Sequence, residues 1–221
     1  MRAPPSGGAE QACPQCTHGR FSDRALHVSD VHDLQAALET LRHVRDNDPA
    51  PLKRPRLEHC SACPPDLMPE LKSLNVIIVT QPFFLYTMGE QFLKEVETRQ
   101  LNWLFPLKSF IKNSVKTAIS SDSPLLPASP FKGIYTAIAR KESSGKTIAP
   151  EESVSTLDAL RMYTSVPACA TFDEKSKGTI TPGKVADLAV LSDDPTKSEP
   201  DKIMDIEVVK TIIGGKIMWE I

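Results

Sequence analysis

The chain has no apolar run long enough to cross a bilayer, for which about 20 consecutive apolar residues are needed. It has no secretory leader signature either. Met1 to Glu10 is rich in Pro and Gly, and no apolar stretch follows. Net charge is nearly absent, at -2 over 221 residues, and the basic residues form no stripe interleaved with aromatics. Nothing therefore recommends a nucleic-acid partner. Cysteine is sparse. Five in a chain of this length do not build a disulfide scaffold, and the odd count without a leader points to reduced thiols in the cytoplasm. What is present is an ordinary soluble composition, 40% hydrophobic and 24% charged. That is enough for a sizeable core in one or two domains.

Residues 1–22 read as an irregular lead-in, with APPSGG and CPQC and no apolar periodicity. From there the texture alternates. Arg24 to Val28 suits a short strand, and Ser29 to Asp33 offers cap chemistry. Leu34, Ala37, Leu38, Leu41 and Val44 then recur at helix spacing until Asp46-Asn47-Asp48-Pro49 stops them. Arg56 to His59 is a second short strand. Asp66 is placed to cap a helix bearing Leu67, Leu71 and Leu74, and Val76 to Val79 is a continuous apolar strand of the kind buried in parallel sheets. Residues 83–102 are expected to be a long connection rich in Phe, Tyr and Met, the kind that often serves as a lid. A helix over Leu104 to Asn113 and a strand over Val115 to Ser120 follow. The alternation predicts βα units and a parallel sheet. After residue 130 come helices over Phe131 to Lys141 and Ser155 to Thr164, with Ser155 and Asp158 spaced as a capping box. A turn at Thr181-Pro-Gly-Lys184 leads into a strand over Asp187 to Ser192. Val208 to Ile213 and Lys216 to Ile221 flank Gly214-Gly215 as a hairpin, which predicts a separate small β unit.

Three polar residues fall where apolar strands end: His27, His59 and Asp122. In parallel α/β folds the strand C-termini line the active site. Two imidazoles and a carboxylate suit zinc or a similar divalent ion, and the carboxylate can also take a proton from bound water. Hydrogen-bonded structural histidines and a turn-forming aspartate are the plainer readings. Gln81, Phe83, Phe84 and Tyr86, just after the third strand, are candidates to contact a substrate or else ordinary cover. The pairs Cys13/Cys16 and Cys60/Cys63 offer a rival four-thiolate zinc module, but 43 residues separate them, against a usual spacing of about 15 to 20. His32 and His43 read as solvent-facing helix residues. Neighbouring strand residues point to opposite faces, so Glu58 is expected to serve packing or a salt bridge, with Arg56 on its own face or with a neighbouring helix, rather than act beside His59.

Residues from about 54 onward resemble the C-terminal portion of amidohydrolase family 3. The matching stretches are Arg54-Pro-Arg-Leu-Glu-His-Cys60, Val76-Ile-Ile-Val-Thr-Gln-Pro82, Ser121-Asp-Ser-Pro124, Gly178 to Ser192 and Thr211 to Lys216. The resemblance implies a (β/α)8 barrel followed by the C-terminal part of a small β-sandwich. It also implies hydrolysis of an amide, formamide or cyclic amide of a small-molecule substrate, with a divalent metal such as zinc activating water. It assigns His59 to the end of the sixth barrel strand, Asp122 to the end of the eighth and His27 to the fifth. Two departures accompany it. The family's Gly-Asp after the fifth-strand histidine is Val28-Ser29 here, and the first-strand His-x-His occurs nowhere in the chain. Only 121 residues precede Asp122, while a full barrel takes about 250. The expectation is therefore a partial barrel, about strands five to eight, over residues 23–175, then a sandwich segment over 176–221. Such a chain is expected to be inactive alone and to self-associate or pair with a full-length relative.

Overall fold

The computed structural model describes residues 25–48 and 52–221. Four strands lie in one parallel sheet in chain order: β1 (Ala25–Val28), β2 (Arg56–His59), β3 (Ile77–Thr80) and β4 (Lys116–Ile119). Their registers align Val28 with His59, and Thr80 with Ile119, so all four C-terminal ends share one edge. Parallel neighbours need a crossover, and each here is helical. The first is α1 (Val31–Asn47), which buries Leu34, Ala37, Leu38 and Leu41, the stripe expected from spacing. Asp30 accepts from the Asp33 amide at its start, and Asp33 accepts from the Ser29 amide. This reciprocal cap satisfies two otherwise orphaned donors.

The second crossover departs from the expected cap. Residues 65–67 form a 3-10 turn, so Asp66 lies inside it and caps nothing; α2 (Met68–Ser73) follows, burying Met68 and Leu71. The third contains the largest correction. Residues 83–102 are not an open connection. Phe83–Glu95 is a helix, α3, and a 3-10 turn occupies Thr98–Trp103. The first four residues of α3, Phe83 to Tyr86, are all apolar and mask the helical spacing, although Thr87, Glu90, Gln91, Lys94 and Glu95 lie exposed along the remainder. The helix expected from Leu104 begins later, at α4 (Leu107–Lys112), because Phe105 adopts a left-handed φ of 44° before Pro106.

Beyond β4 come α5 (Pro130–Ala139), α6 (Thr156–Tyr163) and α7 (Ser165–Ala170). Ser155 caps α6 as anticipated, accepting from the Asp158 amide at 3.1 Å. One apolar cluster, including Val28, Leu38, Leu57, Leu71, Ile78 and Phe110, fills the space between the sheet and its crossovers. A second joins α5 and α6 to Ile203 and Ile206. A third groups Leu85, Leu104, Phe105 and Ile148. The buried Arg140 ties that cluster together by donating to the carbonyls of Leu104, Phe105 and Ile148. The tail forms a separate antiparallel sheet of β5 (Leu188–Leu191), β6 (Val208–Ile213) and β7 (Lys216–Glu220). Its hairpin turns at Gly214-Gly215, both at positive φ, which glycine adopts at little cost.

Candidate active site

The parallel sheet delivers four strand ends to one edge, and polar residues occur at all of them. His27 is the penultimate residue of β1 and His59 the last of β2. Their rings meet edge to face, with centroids 4.4 Å apart at an interplanar angle of 67°. His27 Nε2 lies 2.9 Å from Ser29 Oγ, and His59 Nδ1 lies 2.8 Å from Gln81 Oε1. Gln81 follows β3 directly. Its Nε2 donates to Ser120 Oγ at 2.8 Å and to the Val79 carbonyl at 3.3 Å. A polar chain thus crosses the sheet edge from the end of β2 to the end of β4, with the β1 imidazole seated against it.

The backbone turns sharply at this edge. His59, Cys60 and Asp122 all have left-handed φ, at 70°, 48° and 55°, a conformation that side chains other than Gly, Asn and Asp resist. Asp122 is half-buried, and its carbonyl accepts from the Leu125 amide. The structure brings His27 and His59 together but does not gather Asp122 with them. Among the described residues no group of three or more His, Cys, Asp or Glu side chains is arranged to hold a metal ion. The described donors therefore suit a divalent metal in type and fall short in number, since a catalytic zinc ordinarily takes three protein ligands.

The residues expected to touch substrate separate. Gln81 is 2% exposed, and its amide is bound on both sides by His59, Ser120 and Val79. It is committed to the protein, not free for a ligand. Phe83 is buried and stacks on Tyr86 at 5.2 Å, and Tyr86 meets Tyr135 edge-on at 6.2 Å. Phe84 turns the other way, into the cluster of Leu85 and Phe105. His32 and His43 are exposed on α1, and Arg56 pairs with Glu58 at 2.9 Å, both as expected. Cys60 and Cys63 are buried within the first apolar cluster. The Cys60 thiol and burial push the Cys63 thiol far up from its ordinary value. Core packing accounts for both, and Cys13 and Cys16 lie outside the described residues. The sequence carried no signal for Ser29 or Ser120, because a serine after a strand is ordinary turn chemistry. A cleft lined by Val115, Lys116, Arg161 and Met162 sits elsewhere, at the start of β4.

The model of the amidohydrolase family matches residues 20–219. The chain belongs to that family. Among curated relatives, this amidohydrolase chain is 31% identical over 166 residues to the N-substituted formamide deformylase of Arthrobacter pascens, a match covering 75% of the chain and 31% of that protein. It is 28% identical to the putative amidohydrolase YtcJ of Bacillus subtilis, over 98% of the chain and 42% of that protein. Among solved structures it resembles an uncharacterized metal-dependent hydrolase from Pyrococcus horikoshii, with a TM-score of 0.69 and 26% identity over 81% of this chain and 35% of that one. The counterpart from Pyrococcus furiosus gives 0.67 and 28%, over 79% and 34%. The chain thus spans well under half the length of these relatives.

Proposed function

We propose that this amidohydrolase chain carries the closing part of a catalytic barrel, with β1 to β4 standing as about strands five to eight within residues 23–175. Residues 176–221 then form part of a small β-sandwich. The reaction is hydrolysis of a C–N bond outside peptides, in an amide, formamide or cyclic amide of a small-molecule substrate, and the compartment is cytoplasmic. One observation carries this reading: two imidazoles in contact at the C-terminal edge of a parallel sheet, in a chain of this family. In barrel enzymes that edge is where catalytic groups stand. The relatives named for formamide deformylation and metal-dependent hydrolysis support the reaction class and a divalent metal. Imidazole and carboxylate donors favour zinc.

In this reading Asp122 is the base. Its carboxylate takes the proton of the attacking water as the water adds to the carbonyl, then returns it to the departing nitrogen. His27 and His59 are donors to the ion. The donors gathered here are two, so the complete site needs further groups, and the chain alone is inactive. A second reading, a non-catalytic segment that binds a full-length relative or another copy, is favoured by the exposed apolar residues of the C-terminal sheet.

Turnover of N-substituted formamides and cyclic amides, with and without Zn(II), tests the assignment. The isolated chain is expected to show none. Adding the N-terminal half of a full-length relative is expected to produce turnover that Asp122→Asn abolishes and His59→Ala reduces at least 100-fold. Asp122-dependent turnover by the isolated chain would refute the incomplete-site reading. Reconstituted turnover indifferent to Asp122 would refute its role as base.

A further inference from the structure

We infer that Gln81 is a positioning residue that fixes the neutral tautomer of His59, placing the proton on Nδ1 and leaving the Nε2 lone pair to the site. The inference rests on the proposed function only for the use of that lone pair. The tautomer itself follows from the hydrogen-bond chain.

The chain has one fixed end. The Val79 carbonyl can only accept, so the Gln81 atom facing it at 3.3 Å must be the amide nitrogen. That nitrogen carries two protons. One is directed to Val79, and the other reaches Ser120 Oγ at 2.8 Å. With the nitrogen so committed, the amide oxygen is the group turned to His59, 2.8 Å from Nδ1. An amide oxygen cannot donate. Nδ1 must therefore carry the hydrogen, and in a neutral imidazole Nε2 is then the bare acceptor.

Burial makes the arrangement stiff. Gln81 is almost wholly enclosed. Turning its amide over would set the carboxamide oxygen against the Val79 carbonyl and the nitrogen against Nδ1. Leaving a buried polar group unpaired in this way is costly. Backbone geometry holds the other partner. The Cys60 amide donates to the Val28 carbonyl at 2.9 Å, tying the residue after His59 to β1. The His27 ring then packs edge-on against His59. The imidazole is thus held by a ring on one side and an amide on the other. Orientation of a liganding histidine by a hydrogen bond to its second nitrogen is a general requirement of metal sites. Here a carboxamide supplies it, itself anchored to the backbone of the adjacent strand.

Nitrogen-15 NMR of the histidine rings reads the tautomer directly and needs neither metal nor substrate, so it stands apart from any test of hydrolysis. Spectra are taken above about pH 8, where an ordinary imidazole is neutral. The His59 signals are assigned by their loss in His59→Asn. The native chain is expected to show protonated Nδ1 and bare Nε2. Ser120→Ala is expected to keep that pattern, because Val79 still orients the amide. Gln81→Met, which removes the acceptor at nearly constant volume, is expected to move His59 toward the Nε2-protonated form. A native His59 protonated at Nε2 would overturn the inference, and so would a Gln81→Met chain with native amide dispersion and an unchanged His59. Should Gln81→Met fail to fold, the native and Ser120→Ala spectra still decide.

Discussion

Two glycines show how tightly single residues are constrained around α3 and α5. A Cβ on Gly89 would strike Glu142 Cβ and stand 2.9 Å from Ile148 Cδ1. A Cβ on Gly133 would strike the Tyr163 hydroxyl and stand 3.1 Å from its Cζ. Both sit inside helices, where alanine would otherwise gain about 1 kcal/mol over glycine. Overpacking a core costs about 1 to 3 kcal/mol, so the clash is expected to win. Neither neighbour can yield easily. The Glu142 carboxylate is held by Ser144 and the Lys146 amide, and Tyr163 is lodged in the second apolar cluster. Gly89→Ala and Gly133→Ala should each lower the urea midpoint with little change in slope. A midpoint raised above native by either substitution would show that the neighbour relaxes freely. The same scale explains Gln81. Its type and place after β3 suggested a ligand contact, and only the partners of its two amide atoms reveal a residue turned wholly inward.

At the level of elements, one ion pair joins the segment before β2 to the turn after α7. Arg54 donates to both carboxylate oxygens of Glu174, at 2.9 and 2.6 Å, and its guanidinium lies over the Phe172 ring at 4.2 Å. The Arg54 hydrogen bonds hold the Glu174 carboxyl down at about 2, from an ordinary 4.5. A depressed carboxylate contributes stability that is fully present above its unfolded value and is lost as pH falls through its folded one. The contribution should therefore be intact above about pH 4.5 and fade toward pH 2. Glu174→Gln should flatten that part of the stability profile, measured by denaturant titration at steps across the window. Equal acid sensitivity of both chains would deny the pair its role. Neither partner announced itself in sequence, since they stand 120 positions apart, and local patterning cannot see a contact of that span. What sequence did disclose was local. The alternation of α1 and its flanking strands, the Ser155 cap and the Gly214-Gly215 hairpin each follow from spacing or backbone preference within a few residues. The helix at Phe83–Glu95 escaped because four consecutive apolar residues, Phe83 to Tyr86, open it and mask its spacing. His27 and His59 were legible from their places at strand ends. Their contact, and the hydroxyl and amide groups around them, required the sheet to bring the strands together.

Across the described residues, apolar exposure is uneven, and one concentration of it lies at the C-terminal hairpin. Ile213, Ile217, Met218, Trp219 and Ile221 are between 48% and 73% exposed. The register explains why neither face is closed. Ile217 pairs with Ile212 and Trp219 with Thr211, so Met218 is an extra residue on β7. That bulge sends Ile217 and Trp219 to opposite faces, because paired neighbours on β6 alternate. A three-stranded sheet with apolar groups on both faces gains by burying them, at about 25 cal/mol per Å² of area removed from water. The chain is therefore expected to associate with itself or to take up a full-length relative. The edge is poorly suited to strand addition. A bulge and the charged Lys216 interrupt β7, and both are devices that blunt edges. Association should then run through the faces. Sedimentation velocity should show mass rising with concentration, and Ile217→Lys together with Trp219→Lys should restore a monomer. A compact, concentration-independent native monomer with two-state unfolding would contradict this. Association undiminished in the doubly charged variant would shift the contact to the strand edge.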